Sequence, residues 1–368
     1  MSSSVEGIIA PAAGEVLMEC QVCDAAAPVP LSLCGGCRVV YYCCRDHQLE
    51  DRPAHKDACK EIVAAKAEVE EKKRALLSWN SEALTPGPQN KYYGVFFACG
   101  ASTTQDYIRA LFRLAPALLK AKTQRAVVES LEVYREMLQL DRQGVGMGIH
   151  ADQVIAPLLL RLDRDQEAYD FCAWWQALPK REKTSWLVKD TQRPMLDLQG
   201  ANPIENTKQW YGDQGNKAVR ENIIRASSVV LILARLYFGL RMALGIQEKN
   251  PTWTSAEVFE KTAEVFPIDI LKRHPEWFDV MENRAMLLKE IVIGANLITS
   301  TIGQYNGHYW FYMEHPDEMK KHVKSFRTLP GSPEEAICAV EHTLEAWEAT
   351  PAALDLVMNW TKKMGLRD

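Results

Sequence analysis

The sequence predicts an all-α protein headed by a small module too short to build a core of its own. Three observations lead there. Eight of the nine Cys and His side chains from Cys20 to Cys59 fall into four close pairs. From about Thr104 onward, apolar residues recur at helical spacing. No series of β-branched runs alternates with polar residues in a way that would build a sheet.

The pairs are Cys20-x2-Cys23, Cys34-x2-Cys37, Cys43-x3-His47 and His55-x3-Cys59. A Cys-x2-Cys turn aims two thiolates at one ion, and a pair four apart puts both ligands on one helix face. Eight such ligands are what two tetrahedral Zn²⁺ sites require. Two groupings are open. Taken consecutively, Cys20, Cys23, Cys34 and Cys37 would leave a site charge of −2, and Cys43, His47, His55 and Cys59 a charge of 0. Interleaved, Cys20, Cys23, Cys43 and His47 bind one zinc and Cys34, Cys37, His55 and Cys59 the other, with −1 at each. Interleaving also ties the segments across one another, which suits a module without a core. Filled four-ligand sites point to structural metal and away from a catalytic ion. Cys44, beside Cys43, reads as a non-ligand thiol, because Cys43 has the spacing to His47.

Composition sets the context. With 368 residues, 47% apolar and 25% charged, the chain reads as an ordinary globular protein of about two domains. A net charge of −5 offers no general attraction to nucleic acid or anionic membrane. Seven of the ten cysteines fall in residues 20–59, while Cys99, Cys172 and Cys338 are scattered. That crowding favours zinc thiolates in a reducing compartment over a disulfide framework. Met-Ser-Ser-Ser-Val-Glu at the start lacks the basic and apolar runs of a secretory signal, so an intracellular location, cytoplasm or nucleus, is expected. The most apolar stretch, Ile223 to Ile246, is interrupted by Arg225, Arg235 and Arg241 and reads as a core helix.

Lys60 to Trp79 alternates charges, as an exposed helix does, and Asn80 to Asn90 with Pro86-Gly87-Pro88 reads as a break. The expected division is therefore the zinc module at 20–59, a charged helix at 60–79, a linker at 80–103 and an all-α domain at 104–368. Helices are expected at Tyr107–Ala121, Arg125–Leu140, Val154–Leu162, Gln166–Leu178, Asn216–Gln247 and Ser255–Val265. Four more follow at Pro275–Thr301, Asp317–Arg327, Pro333–Ala349 and Ala352–Lys363, with Lys180–Gly215 left open. The stretches around Tyr134 and Tyr169 are similar to the second helix of a tetratricopeptide repeat, and they sit about one repeat apart. Without a third copy, the choice between an irregular helical bundle and a tetratricopeptide-like array stays open.

Other constellations have plainer readings. His308, His315 and His322 recur every seven residues, but Pro316 breaks the helix between them. The cluster Tyr305, Tyr309, Trp310, Phe311 and Tyr312, like Trp174-Trp175, reads as core, with the basic Lys320, Lys321, Lys324 and Arg327 after it as a solvated face. Gly144-Val-Gly-Met-Gly148 lacks the Lys-Ser/Thr of a phosphate loop.

The run Cys20-Gln-Val-Cys23, Cys34-Gly-Gly-Cys37, Tyr41-Tyr42-Cys43, Gln48 and His55-Lys56-x2-Cys59 resembles a MYND-type zinc finger. The resemblance covers residues 20–59, about a tenth of the chain. It implies two Zn²⁺, the interleaved ligand sets, and recognition of other proteins. A RING finger ends in Cys-x2-Cys pairs, which the four-apart pairs here do not match. His47 stands where the family usually has Cys, and imidazole serves zinc equally well. Family members that bind proline-rich peptides carry a Gln and a Trp on the second helix. Gln48 matches the first and Arg52 replaces the second, so Gln48 and Arg52 are the candidate partner-binding residues and the peptide preference changes. The layout is also similar to fungal MYND-domain proteins with a long helical C-terminal region.

The function expected is that of a zinc-binding protein-protein interaction or adaptor protein, of the transcriptional or signalling co-regulator kind, and not an enzyme. Partners would be other proteins, with proline-containing peptides as one candidate class; no nucleic acid, membrane or small-molecule substrate is expected. The alternative is a MYND/SET lysine methyltransferase. It is opposed by the nineteen residues before Cys20, by the helical character downstream and by the lack of an Asn-His-Ser-Cys segment. Direct DNA binding is opposed by local charge, with five Lys/Arg against five Asp/Glu from Cys20 to Lys60.

Overall fold

The computed structural model describes residues 19–23, 30–86, 90, 92–94, 96, 99–141, 151–177, 199–205, 207–210, 219, 222–266, 268–279, 281–322 and 329–363. The chain divides into two compact units, and among the described residues the division falls between Ile155 and Ala156.

The first unit begins with a minimal hairpin. β1 (Ser32–Leu33) pairs antiparallel with β2 (Tyr41–Tyr42), with Ser32 opposite Tyr42 and Leu33 opposite Tyr41. Cys20 bridges to the far side of Tyr41, and Gln21 N–H donates to the Tyr41 carbonyl at 3.0 Å. Between the strands the chain turns tightly. Arg38 takes φ 62°, a left-handed conformation, and its N–H donates to the Cys34 carbonyl. α1 (Arg45–Trp79) then runs unbroken for 35 residues. Pro53 lies inside it and removes the bond to the Leu49 carbonyl, at a place where both residues face solvent and water can take over.

Because α1 is continuous, the expected boundary between residues 59 and 60 falls inside a helix. Its charged half is also less exposed than alternation suggested. Ile62, Ala65, Val69 and Leu76 recur on one face and are buried. That face packs on α2 (Ser102–Leu119), which packs in turn on α3 (Gln124–Leu140). Lys120–Glu61 at 2.7 Å and an Arg113–Glu68 pair tie α1 to α2 at the rim. Thr123 caps α3 by accepting from Ala126 N–H. The described part of the expected linker is anchored. Buried Asn90 donates through Nδ2 to the carbonyls of Glu82, Ala83 and Thr85 and accepts from Tyr92 N–H. Pro and Gly mark a break in helix there, but the side-chain amide replaces the missing backbone ladder.

α4 (Ala151–Leu160) crosses the division. In the second unit α5 (Asp165–Ala177), α7 (Ser255–Val265), α9 (Met281–Tyr305), α11 (Pro333–Glu348) and α12 (Ala353–Lys363) surround α6 (Ile223–Lys249). Short α8 (Asp269–Arg273) and α10 (His308–Glu314) fill the gaps. α6 is buried on nearly all sides over its first three turns and beyond, which is why it reads as apolar all round. α6 and Asn283–Tyr305 are each long and apolar enough to cross a membrane, yet 67% and 50% of their apolar windows are buried inside the protein. α6 starts at Ile223, where Asn222 accepts from Arg225 N–H, later than the expected Asn216. The expected helix from Pro275 is a 3-10 turn (Pro275–Phe278) followed by α9, since Pro supports a first turn but offers no N–H for what precedes it. Asp317–Arg327 begins as a 3-10 turn (Pro316–Lys321), and its end lies outside the described residues, as do Gly144–Gly148 and most of Lys180–Gly215.

The aromatic cluster is core, as expected. Tyr309 hydroxyl meets Ser227 at 2.5 Å and Thr343 at 2.9 Å, Trp347 Nε1 donates to Ser227, and Trp310 Nε1 donates to the Thr299 carbonyl. Phe311 is exposed and Tyr305 half-buried, outside that core. His308 and His322 each face Tyr312, and His315 faces Phe311, so the three histidines do not converge. The helices around Tyr134 and Tyr169 fall in different compact units, so the irregular bundle describes the fold and a regular array does not.

Candidate metal centre

The eight ligands form two separate clusters, with the interleaved sets of residues. Cys20, Cys23, Cys43 and His47 make one and Cys34, Cys37, His55 and Cys59 the other, with the ligand atoms in each set within 4.8 Å of one another. Hairpin and helix both contribute to each site. The turn before β2 and the segment preceding the hairpin supply the Cys-x2-Cys pairs, while Cys43 and the first part of α1 supply the four-apart pairs. The consecutive grouping is excluded.

The spacing suits zinc. Ligands held at Zn–S and Zn–N bond lengths stand about 3.8 Å apart for S···S and about 3.6 Å for S···N in a tetrahedron. Here Cys23 Sγ–Cys43 Sγ is 3.7 Å and Cys34 Sγ–Cys59 Sγ is 3.8 Å. Cys20 Sγ–His47 Nδ1 is 3.5 Å, Cys43 Sγ–His47 Nδ1 3.1 Å and Cys37 Sγ–His55 Nε2 3.4 Å. The two histidines use different ring nitrogens, as their positions on α1 dictate.

Protonation supports the same reading. Burial pushes the Cys37 thiol up to about 12, helped by the charges of Cys34 and Cys59. Lost hydration and the sulfurs of Cys23, Cys20 and Cys44 push Cys43 up to about 12. Burial opposes ionisation of Cys20, but hydrogen bonds from the backbone at Val22, Cys43 and Cys23 and from His47 bring it down to about 6. Burial lowers His55 and keeps its imidazole neutral. Three crowded sulfurs cannot all ionise alone, and a divalent cation is the charge that permits it. The two sites differ in exposure. All four ligands of the second are buried, whereas Cys23 is exposed and Cys43 and His47 are half-buried in the first.

A second layer of contacts holds the sites, and no short motif announced it. Tyr42 hydroxyl donates to Asp51 Oδ2 at 2.5 Å, and its ring meets His55 in a T-shaped contact. Lys66 ammonium donates to the Cys37 carbonyl at 3.0 Å and pairs with Glu129 at 2.8 Å. Thr123 hydroxyl donates to the Val39 carbonyl, and Arg125 reaches the Arg38 carbonyl and the Tyr41 hydroxyl. The finger is thus docked on α1 and on the start of α3. A Cβ at Gly36 would stand 2.9 Å from Cys59 Sγ, so the site also demands glycine there.

Gln48 and Arg52 lie together on the rim of a cleft of about 330 Å³, with Arg45, Leu49, Gly35, Gly36 and Tyr42 around the second site. Cys44 is exposed and belongs to neither ligand set. Cys44→Ser is therefore expected to retain two zinc ions per chain by metal analysis; loss of one would shift the ligand register onto Cys44.

Two closed Cys3His centres laid across a hairpin and a helix define a structural double-zinc finger. Residues 20–59 match the family model described as MYND finger, a zinc-binding module of protein-protein interaction. Searches of curated proteins and of solved structures returned no match.

Proposed function

We propose that this protein is a non-enzymatic adaptor, an intracellular co-regulator in which the finger engages a partner protein and the helical units form the scaffold. One observation carries the reading. The zinc sites are closed by four protein ligands each, and they hold a solvent-facing cleft edged by Gln48, Leu49 and Arg52 with Leu49 55% exposed. Zinc thiolates suit a reducing compartment, cytoplasm or nucleus. Arg52 removes the aromatic platform on which a proline ring would stack, so proline-rich peptides are not the preferred ligand. A methyltransferase would need catalytic elements outside the finger, and isotope-labelled S-adenosylmethionine with histones would reveal one by label transfer.

The test is affinity capture from cell extract with full-length wild type and with Gln48→Ala/Leu49→Ala. Both should carry two zinc ions, and the variant should lose partners that the wild type retains. Identical partner sets would remove the finger cleft from the interaction.

A further inference from the structure

The surface of α1 continues the cleft beyond the finger and carries a charge pattern of its own. Arg45, Leu49, Arg52, Lys56, Lys60 and Val63 follow at intervals of four, three, four, four and three, which places them on one helix face. All six are exposed. The face spans about 27 Å at the helical rise per residue. No Asp or Glu interrupts it, because Asp46, Glu50, Asp57 and Glu61 form a separate row beside it. Arg45 donates to Gln48 at 2.7 Å, and among the described residues Arg52, Lys56 and Lys60 form no ion pair. Elsewhere on α1 Lys66 pairs with Glu129 and Lys72 with Glu71. The opposite face is committed to α2 through Ile62, Val69 and Leu76.

Four cations aligned around exposed Leu49 and Val63, on a chain with net charge −5, are complementary to a narrow anionic strip with apolar points. Resting on the interaction reading of the same cleft, we propose that the partner segment is an acidic peptide with an embedded aliphatic or aromatic residue. The acidic residues bridge Arg45, Arg52, Lys56 and Lys60, and the apolar residue covers Leu49. The acidic row beside the stripe would face the second strand of a nucleic-acid duplex, which makes a peptide the better occupant.

Full-length zinc-loaded protein should be titrated by fluorescence anisotropy with four labelled probes. They are an Asp/Glu-rich peptide with a central Leu, its Lys/Arg-substituted counterpart, a proline-rich peptide and a DNA duplex. The acidic peptide is expected to bind best and to weaken as salt rises. Arg52→Glu/Lys56→Glu/Lys60→Glu is expected to reduce its affinity by about tenfold or more, at an unchanged two zinc ions per chain. Preference for DNA, for the basic or for the proline-rich peptide, indifference to charge reversal, or no binding of any probe would each overturn the proposal. If extract partners still depend on Gln48 and Leu49 in that event, the interaction reading stands and its acidic chemistry falls.

Discussion

His55→Ala is expected to bring the zinc content from two ions per chain to one and to unfold the hairpin that carries Cys34 and Cys37. The second site is buried at all four ligands, so no water stands ready to replace the imidazole. Three sulfurs left together must take up protons, which returns Cys37 to a thiol whose burial holds it up near 12. Structural zinc supplies on the order of 10–16 kcal/mol of apparent binding energy in zinc-finger peptides, more than a forty-residue module gains from its own core. Metal analysis and amide exchange across residues 30–45 would measure the result; retention of two ions would exclude His55 as a ligand. Protons compete with zinc for the thiolates, so affinity in the wild type is expected to fall as pH falls. The more exposed first site should release its ion to a chelator before the second.

Arg235→Ala is expected to cost the second unit about 3–5 kcal/mol, the usual result of removing one partner from a buried ion pair. Arg235 lies within α6, its side chain 4% exposed, and pairs with Asp165 at 3.0 Å and Asp163 at 3.3 Å while donating to Thr350 at 2.7 Å. Asp165 is 1% exposed and would keep its burial without its cation. Burial already raises its carboxyl to about 6, against the pull of Arg235. A carboxyl raised in the folded state binds its proton more tightly there than in the unfolded chain. Its burial therefore costs nothing below the unfolded value and most above the folded one. Without Arg235 the folded value rises further, so the loss of melting temperature should be larger at pH 8 than at pH 6. Tryptophan fluorescence would follow the transition, since most of the ten tryptophans belong to the second unit. An equal loss at both pH values would mean that Asp165 is not the uncompensated charge.

The metal ligands were legible because zinc chemistry confines them to a few residue types at short spacings. The helices were legible for a similar local reason, the recurrence of apolar residues such as Leu111, Leu114, Ala115 and Leu118 on one face of α2. Charge alternation misled at 60–79. Lys and Glu dominate the count there, while four apolar residues decide which face is buried. Prolines misplaced two helix starts, since a proline marks where a helix can begin without saying whether its first turn is α or 3-10.

The sequence by itself determined that two zinc ions are held by these eight side chains and that the remainder is helical. The family resemblance implied the interleaved ligand sets, but the spacing alone satisfies both groupings, and only the path of hairpin and helix brings Cys34 to Cys59 and Cys23 to Cys43. The tertiary structure also decided that the finger rests on Lys66, Thr123 and Arg125, contacts spanning 29 to 87 positions. Such contacts leave no mark in any short window, since they arise from where folded elements meet.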